Sequence, residues 1–185
     1  MKSIVTILIS ILTATVAVAQ SGSIRTIFQN EAFQLNSGGR SLLGGKSRTY
    51  ISVPIPEGTV ALLYTVKSSV SADVGQNIKL AAEVTAALSG HVGIANAIDR
   101  VNLPPSNAVI DVFVLPGDDT NLYNFLNKKD GVWVQYTDYA CESSLGCKRM
   151  VRVSPQMNKV FIALRNPSAI NRIVAIVDVV AIIKN

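Results

Sequence analysis

The chain has 185 residues, 17 basic and 12 acidic groups for a formal charge of +5, two cysteines and one histidine. That length suits one ordinary domain able to bury a real core. The basic groups are dispersed, with only Lys128-Lys129 and Lys148-Arg149 adjacent, which argues against nucleic-acid binding and reads as a solubilising surface excess.

The chain opens "MKSIVTILISILTATVAVAQ". Lys2 supplies a basic start, Ile4 to Leu12 an apolar run, and Ala17-Val18-Ala19 a small-x-small cleavage site. These are the parts of a secretory signal peptide over residues 1–19. The run is short for a membrane span, which needs roughly 20 residues. The expectation is a secreted or periplasmic protein with no membrane span in the mature chain. Residues 20–32 read as a mobile lead-in, and 33–185 as a single domain.

A short strand is expected at Phe33–Asn36. The glycine-rich "GGRSLLGGK" that follows lacks phosphate-loop spacing and reads as a turn. In "RTYISVPI", Thr49, Ile51, Val53 and Ile55 alternate with polar residues, the period of a half-buried strand. "TVALLYTVK" repeats the pattern with Val60, Leu62, Tyr64 and Val66, and the two read as a hairpin. The period then lengthens. Val74, Ile78, Ala81, Thr85 and Leu88 recur at helical spacing, widened by Leu80, Val84 and Ala87. Asp73 with Gln76 resembles a capping box and Gly90 a stop. A shorter helix is expected at Ile94–Val101, and Pro104-Pro105 ends the insert.

Strands resume at 107–115, 131–137, 148–154, 158–166 and 172–184. The last is apolar on both faces, Val174, Ile176, Val180 and Ile182 on one and Ile173, Val177, Val179 and Ile183 on the other, with Asp178 the only interruption. A sandwich strand normally wets one face. The helical insert at about 73–101 is therefore expected to pack outside the sheet that holds this strand. The fold class is mainly β: an antiparallel, jelly-roll-like sandwich of about eight strands.

Catalytic constellations are not assembled. His91 is the only histidine, there is no GxSxG, and Glu31, Glu57, Glu83 and Glu142 are scattered. The reading is that the chain is not an enzyme. "LPGDDTNLYNFLNKKDGVW" is the segment richest in binding chemistry. Asp118 and Asp119 offer oxygens to Ca²⁺, but EF-hand spacing is missing, and a helix-capping "GDDT" turn is the preferred reading. Tyr123, Phe125 and Trp133 beside Asn121 and Asn124 are what a sugar-binding cleft uses. The competing reading is that the aromatics cover the sandwich edge.

Cys141 and Cys147 lack zinc and thioredoxin spacings, and export favours a disulfide. If the bond closes a hairpin neck, Tyr136 faces Arg152 and Trp133 points inward. "RTYISVPIPEGTVALLYTVKSS", "IDVFVLPGDDTNLYNF" and "NKVFIALRNPSAINRIVAIVDVVAI" resemble the opening hairpin, Asp-rich middle and closing pair of bacterial secreted pre-peptidase C-terminal-like domains. The resemblance implies a sandwich and an exported accessory role. It carries no catalytic residue across, and the helical insert departs from its pattern. The expected function is a non-catalytic binding module of the cell envelope or extracellular space, with a glycan as candidate ligand and no cofactor. The alternative is a structural protein that docks an envelope protein through a sheet or helix face.

Overall fold

The computed structural model describes residues 22–41, 45–70, 79–90 and 93–184. In chain order the elements are β1 (Gly22–Leu35), α1 (Gly38–Ser41), β2 (Arg48–Pro54), β3 (Thr59–Ser69), α2 (Leu80–Ser89), α3 (Ile94–Ala97), a 3₁₀ turn at Ile98–Arg100, β4 (Ile110–Pro116), α4 (Asp119–Leu126), a 3₁₀ turn at Thr137–Tyr139, β5 (Cys141–Ser144), β6 (Cys147–Arg152), β7 (Lys159–Arg165) and β8 (Ile173–Lys184). Among the described residues the strands form two four-stranded sheets, β1-β8-β3-β6 and β2-β7-β4-β5. β1 pairs with β8, β2 with β7, β3 with β6 and β4 with β5, each pair antiparallel. The chain is one long ribbon folded back at the β4–β5 connection, then rolled so that successive pairs alternate between sheets. That is the connectivity of a jelly roll.

The period-two pattern places the core between the sheets. Ile51 and Val53 of β2, Val112 and Val114 of β4, and Val177 and Val179 of β8 all join it. The outer faces are covered too. On the first sheet, Ala61, Leu63, Val180 and Ile182 pack against Leu80, Val84 and Ala87 of α2 and against Ala97, Ile98 and Val101. The two apolar faces of β8 thus have cover on both sides, and the insert docks outside its sheet. Thr85 is exposed and Ala81 and Leu88 only half-buried, so the buried stripe runs along the flank through Leu80 and Val84. The expected capping box at Asp73 and Gln76, together with Val74, Ile78 and His91, lies outside the described residues. On the second sheet, Phe113, Leu115, Phe161 and Ala163 lie under Leu122 and Phe125 of α4. The sandwich is therefore four layers deep.

Four expectations need correction. Residues 20–32 are not a mobile lead-in where described, because β1 begins at Gly22 and pairs with β8 from Gly22↔Lys184 to Leu35↔Ile173. Irregularities between Thr26 and Phe28 and between Phe28 and Glu31 break the alternation that would have marked it. The strand expected at 33–36 is the end of this longer one. β2 and β3 do not form a hairpin: β2 pairs with β7 and β3 with β8 and β6, in the other sheet. The chain changes sheets through residues 55–58, where Gly58 takes φ 77°, a conformation open to glycine. No strand forms at 131–137. Gly131 turns the chain at φ 84°, and Trp133 packs against the cover of the second sheet instead.

The fourth correction concerns the disulfide. Cys141 and Cys147 are bonded, with Cα atoms 6.0 Å apart. They do not close a hairpin. Cys141 starts β5 in the second sheet and Cys147 starts β6 in the first, so the bond staples the two sheets together along one open side of the sandwich. Arg152 pairs with Ala61, and the Tyr136 N–H donates to the Val114 carbonyl at 2.8 Å, so Tyr136 and Arg152 are not cross-strand neighbours. Both cysteines are buried, and the Tyr64 hydroxyl lies 3.4 Å from Cys147 Sγ while donating to the Tyr139 carbonyl. Burial pushes the Tyr64 hydroxyl far above its ordinary pKa, opposed by the Arg149 charge. For so short a loop the chain-entropy contribution is about 2 kcal/mol. The Cys141→Ala, Cys147→Ala double variant is expected to lose about that much in urea unfolding; an unchanged midpoint and slope would count against a stapling role.

Candidate functional site

The segment singled out for binding builds a cover layer. Asp118 caps α4, its Oδ1 accepting from the Thr120 N–H at 3.0 Å. Asp119 is exposed and pairs with Lys159 at 2.9 Å. The two carboxylates are thus turned to separate tasks, and among the described residues no three His, Cys, Asp or Glu side chains gather to hold a metal ion. The capping reading of "GDDT" holds. Asn121 is buried, and its amide takes both backbone groups of Val134: Nδ2 donates to the carbonyl at 2.7 Å and Oδ1 accepts from the N–H at 2.6 Å. A side chain here supplies what a neighbouring strand would.

The aromatics follow the same logic. Phe125 is fully buried. The half-buried Trp133 meets the rings of Phe113 and Phe125 edge-on, with centroids at 5.0 and 5.3 Å. Arg48 locks the cover down, its guanidinium 5.1 Å from the Phe125 centroid, donating to the Phe125 carbonyl at 2.7 Å and to Asp130 at 2.9 Å. Desolvation, the largest single influence, pushes the Asp130 carboxyl up, but hydrogen bonds from Arg48 and Trp133 and the Arg48 and Arg165 charges together outweigh it and hold it below the ordinary value. Of the five candidate sugar-binding residues, only Tyr123 is exposed, at 58%, with the Lys129 ammonium 5.2 Å from its ring. Asn124 is half-buried. The five do not form one open platform.

A different site lies on the outside of the first sheet. A cavity of about 210 Å³ opens between Thr26, Phe28 and Gln29 of β1, the first turn of α2 from Lys79, and Asp178 and Val180 of β8. Asp178 is 1% exposed. Its Oδ1 accepts from the Asn30 N–H at 2.9 Å, and its Oδ2 has no hydrogen-bond partner. Asn30, inside the irregular stretch of β1, holds φ 55°, a left-handed conformation that Asn tolerates better than most. The irregularity aims that N–H at the carboxylate. Among the described residues no second acid and no thiol lines the cavity, so these residues can hold a polar group against a carboxyl but offer no paired acid and base.

Burial raises the Asp178 pKa, and the Asn30 hydrogen bond pulls against it. A carboxyl whose folded pKa lies above its unfolded value favours folding most when both states are protonated. Its contribution is full below the ordinary carboxylate value of about 3.9 and is lost as pH rises through the raised folded value. Unfolding free energy is expected to fall over that window in the native chain and to stay flatter in Asp178→Asn. Parallel pH profiles for the two proteins would contradict this.

Sequence reasoning passed over Asp178, treating it as an interruption of β8. The signal was present: one acid inside a twelve-residue strand otherwise built of apolar residues and one terminal lysine. A buried charge needs a partner, and such a residue asks what that partner is. Comparison with the models of known protein families and with curated proteins returns no match.

Proposed function

We propose that this chain is an exported, non-catalytic binding module of the cell envelope or extracellular space, and that its ligand enters the cleft between β1 and α2. The observation that carries the reading is the unpartnered oxygen of buried Asp178 on the wall of a cavity. Native proteins pair nearly all buried polar groups, and an open polar end within an apolar pocket is the usual anatomy of a small-molecule site. Export is supported by the signal-like start of the chain and by the disulfide between the sheets. The resemblance to pre-peptidase C-terminal-like domains points the same way, toward an accessory role.

The test is a thermal-shift screen of small amines, acids, amides and sugars against the native chain and Ala82→Trp. Ala82 is exposed and lines the cavity, so an indole there blocks the mouth. Compounds that raise the melting temperature of the native chain and not of the variant support the cleft; a hit list unchanged by the variant puts the ligand elsewhere. The glycan reading now rests on Tyr123. Its control is Tyr123→Ala on a glycan array, because Trp133→Ala would disturb the cover of the second sheet.

A further inference from the structure

Four buried side-chain atoms among the described residues lack a hydrogen-bond partner, and three sit on adjacent strands of the first sheet: Asn30 Oδ1, Thr65 Oγ1 and Asp178 Oδ2. Thr65 and Asp178 are direct cross-strand partners between β3 and β8. Both point outward, since their neighbours Tyr64, Val66, Val177 and Val179 face the inter-sheet core. Asn30, on the other side of β8, is close enough for its backbone to bond Asp178. Side chains directly opposite on one face stand about 5 Å apart. Thr65 Oγ1 and Asp178 Oδ2 therefore lie open at paired positions on the outer face, and of the three residues Asp178 lines the cavity.

What completes this set has to supply donors. The Thr65 hydroxyl can donate or accept, but an ionised carboxylate only accepts, and when buried it calls for a positive partner. A primary ammonium carries three N–H donors and one positive charge, so it can meet the open carboxylate oxygen of Asp178 and keep donors for a neighbouring acceptor or water. The cavity that meets Asp178 gives the rest of such a molecule an apolar berth against Phe28, Leu80, Ala81 and Val180. Its volume is below the roughly 300–1,000 Å³ of drug-sized sites, which limits the body to a few carbons.

We infer that the cleft binds a small primary amine, its ammonium seated on Asp178 and its short alkyl or aryl body between β1 and α2. This rests on the reading of the cleft as the binding site. An ammonium favours the ionised carboxyl, so affinity rises with pH through the raised Asp178 pKa. Among the described residues, the other charged groups on this face are Lys79 at the start of α2, which is exposed, Lys67 on β3, which is buried, and Lys148 on β6, which stands opposite Thr65 and donates to the Asp99 and Val101 carbonyls at 3.0 and 2.9 Å; Glu83 of α2 is engaged with the Asn102 N–H at 2.6 Å. Lys79, which lines the cavity, weakens any cation seated there.

The experiment titrates the full chain calorimetrically with n-butylamine, n-butyrate, butyramide, 1-butanol, sodium chloride and calcium chloride, using the native protein, Asp178→Asn and Ala82→Trp. Asp178→Asn keeps the shape and removes the charge. The expected result is that butylamine binds at least tenfold more tightly than the other probes, that Asp178→Asn weakens it at least tenfold, and that Ala82→Trp abolishes it. If butyrate, butyramide or butanol binds as well and remains sensitive to Ala82→Trp, the ammonium assignment falls while the cleft stands. If sodium or calcium alone occupies the site, the assignment likewise falls. If no probe binds and the fragment screen is also insensitive to Ala82→Trp, both the amine and the cleft are wrong.

Discussion

Phe113→Ala is expected to lower the unfolding free energy by about 3–5 kcal/mol, the range for truncating a buried aromatic. Phe113 is 1% exposed and stands where the outer layer of the second sheet is pinned. Its ring meets Trp133 at 5.0 Å and Phe125 at 5.8 Å, and the Arg165 guanidinium lies 5.1 Å from its centroid. Removing it opens a cavity under α4 that Trp133 cannot refill while Asn121 tethers the adjoining Val134. At this chain length the loss corresponds to a drop of roughly 10 °C in melting temperature. Trp133 is the chain's single tryptophan, so its emission should shift to the red before global unfolding. Tyr123→Ala, on the exposed side of the same helix, should change stability by no more than about 0.5 kcal/mol. A loss below about 1 kcal/mol in Phe113→Ala would mean that α4 is not a cohesive cover.

The same contrast shows where sequence is a good guide. An apolar stripe reports that a face is buried, and β8, with two such faces, correctly implied a layer on each side. The helical period in α2 supplied one of those layers. The α4 layer over the second sheet was harder to foresee because its anchors are not periodic: Arg48 reaches from β2 to the Phe125 carbonyl, and Asn121 replaces a strand for Val134. Such bonds join positions far apart in the chain and leave no local pattern. Alternation also says nothing about which sheet a strand joins. β2 and β3 look like a hairpin and so do the cysteine flanks, yet each pair divides between the sheets. The irregular part of β1 hid a strand, and that distortion turns the Asn30 N–H toward Asp178. The candidate site was thus obscured by the feature that builds it.

Asp111→Ala should cost about 3 kcal/mol, and it tests how the sandwich holds its shortest edge. β5 has four residues and pairs with β4 only at Ile110↔Ser144 and Val112↔Cys141, with an irregularity between. So few ladder bonds do not fix a strand, and Asp111 supplies the remainder. Its carboxylate is 1% exposed and accepts at 2.7 Å both from the Ser143 N–H and from Arg165 Nε. Ser143 has φ 49°, a left-handed conformation in a non-glycine residue, which costs about 1–3 kcal/mol unless its surroundings impose it. Removing the carboxylate releases that restraint and leaves the Arg165 guanidinium without its acid. Breaking a buried pair costs about 3–5 kcal/mol; Arg165 is 29% exposed and can partly rehydrate, which sets the lower end. Asp111→Asn should cost less, because its amide oxygen can still accept from Ser143. In the Asp111→Ala protein, amide exchange in β5 should quicken more than in β7, since β7 keeps full ladders to β2 and β4. The disulfide should also reduce faster, because Cys141 rides on the loosened strand. Uniform exchange across β5 and β7, or equal losses for the Ala and Asn variants, would show that Asp111 acts through packing alone and not as the clamp on this edge.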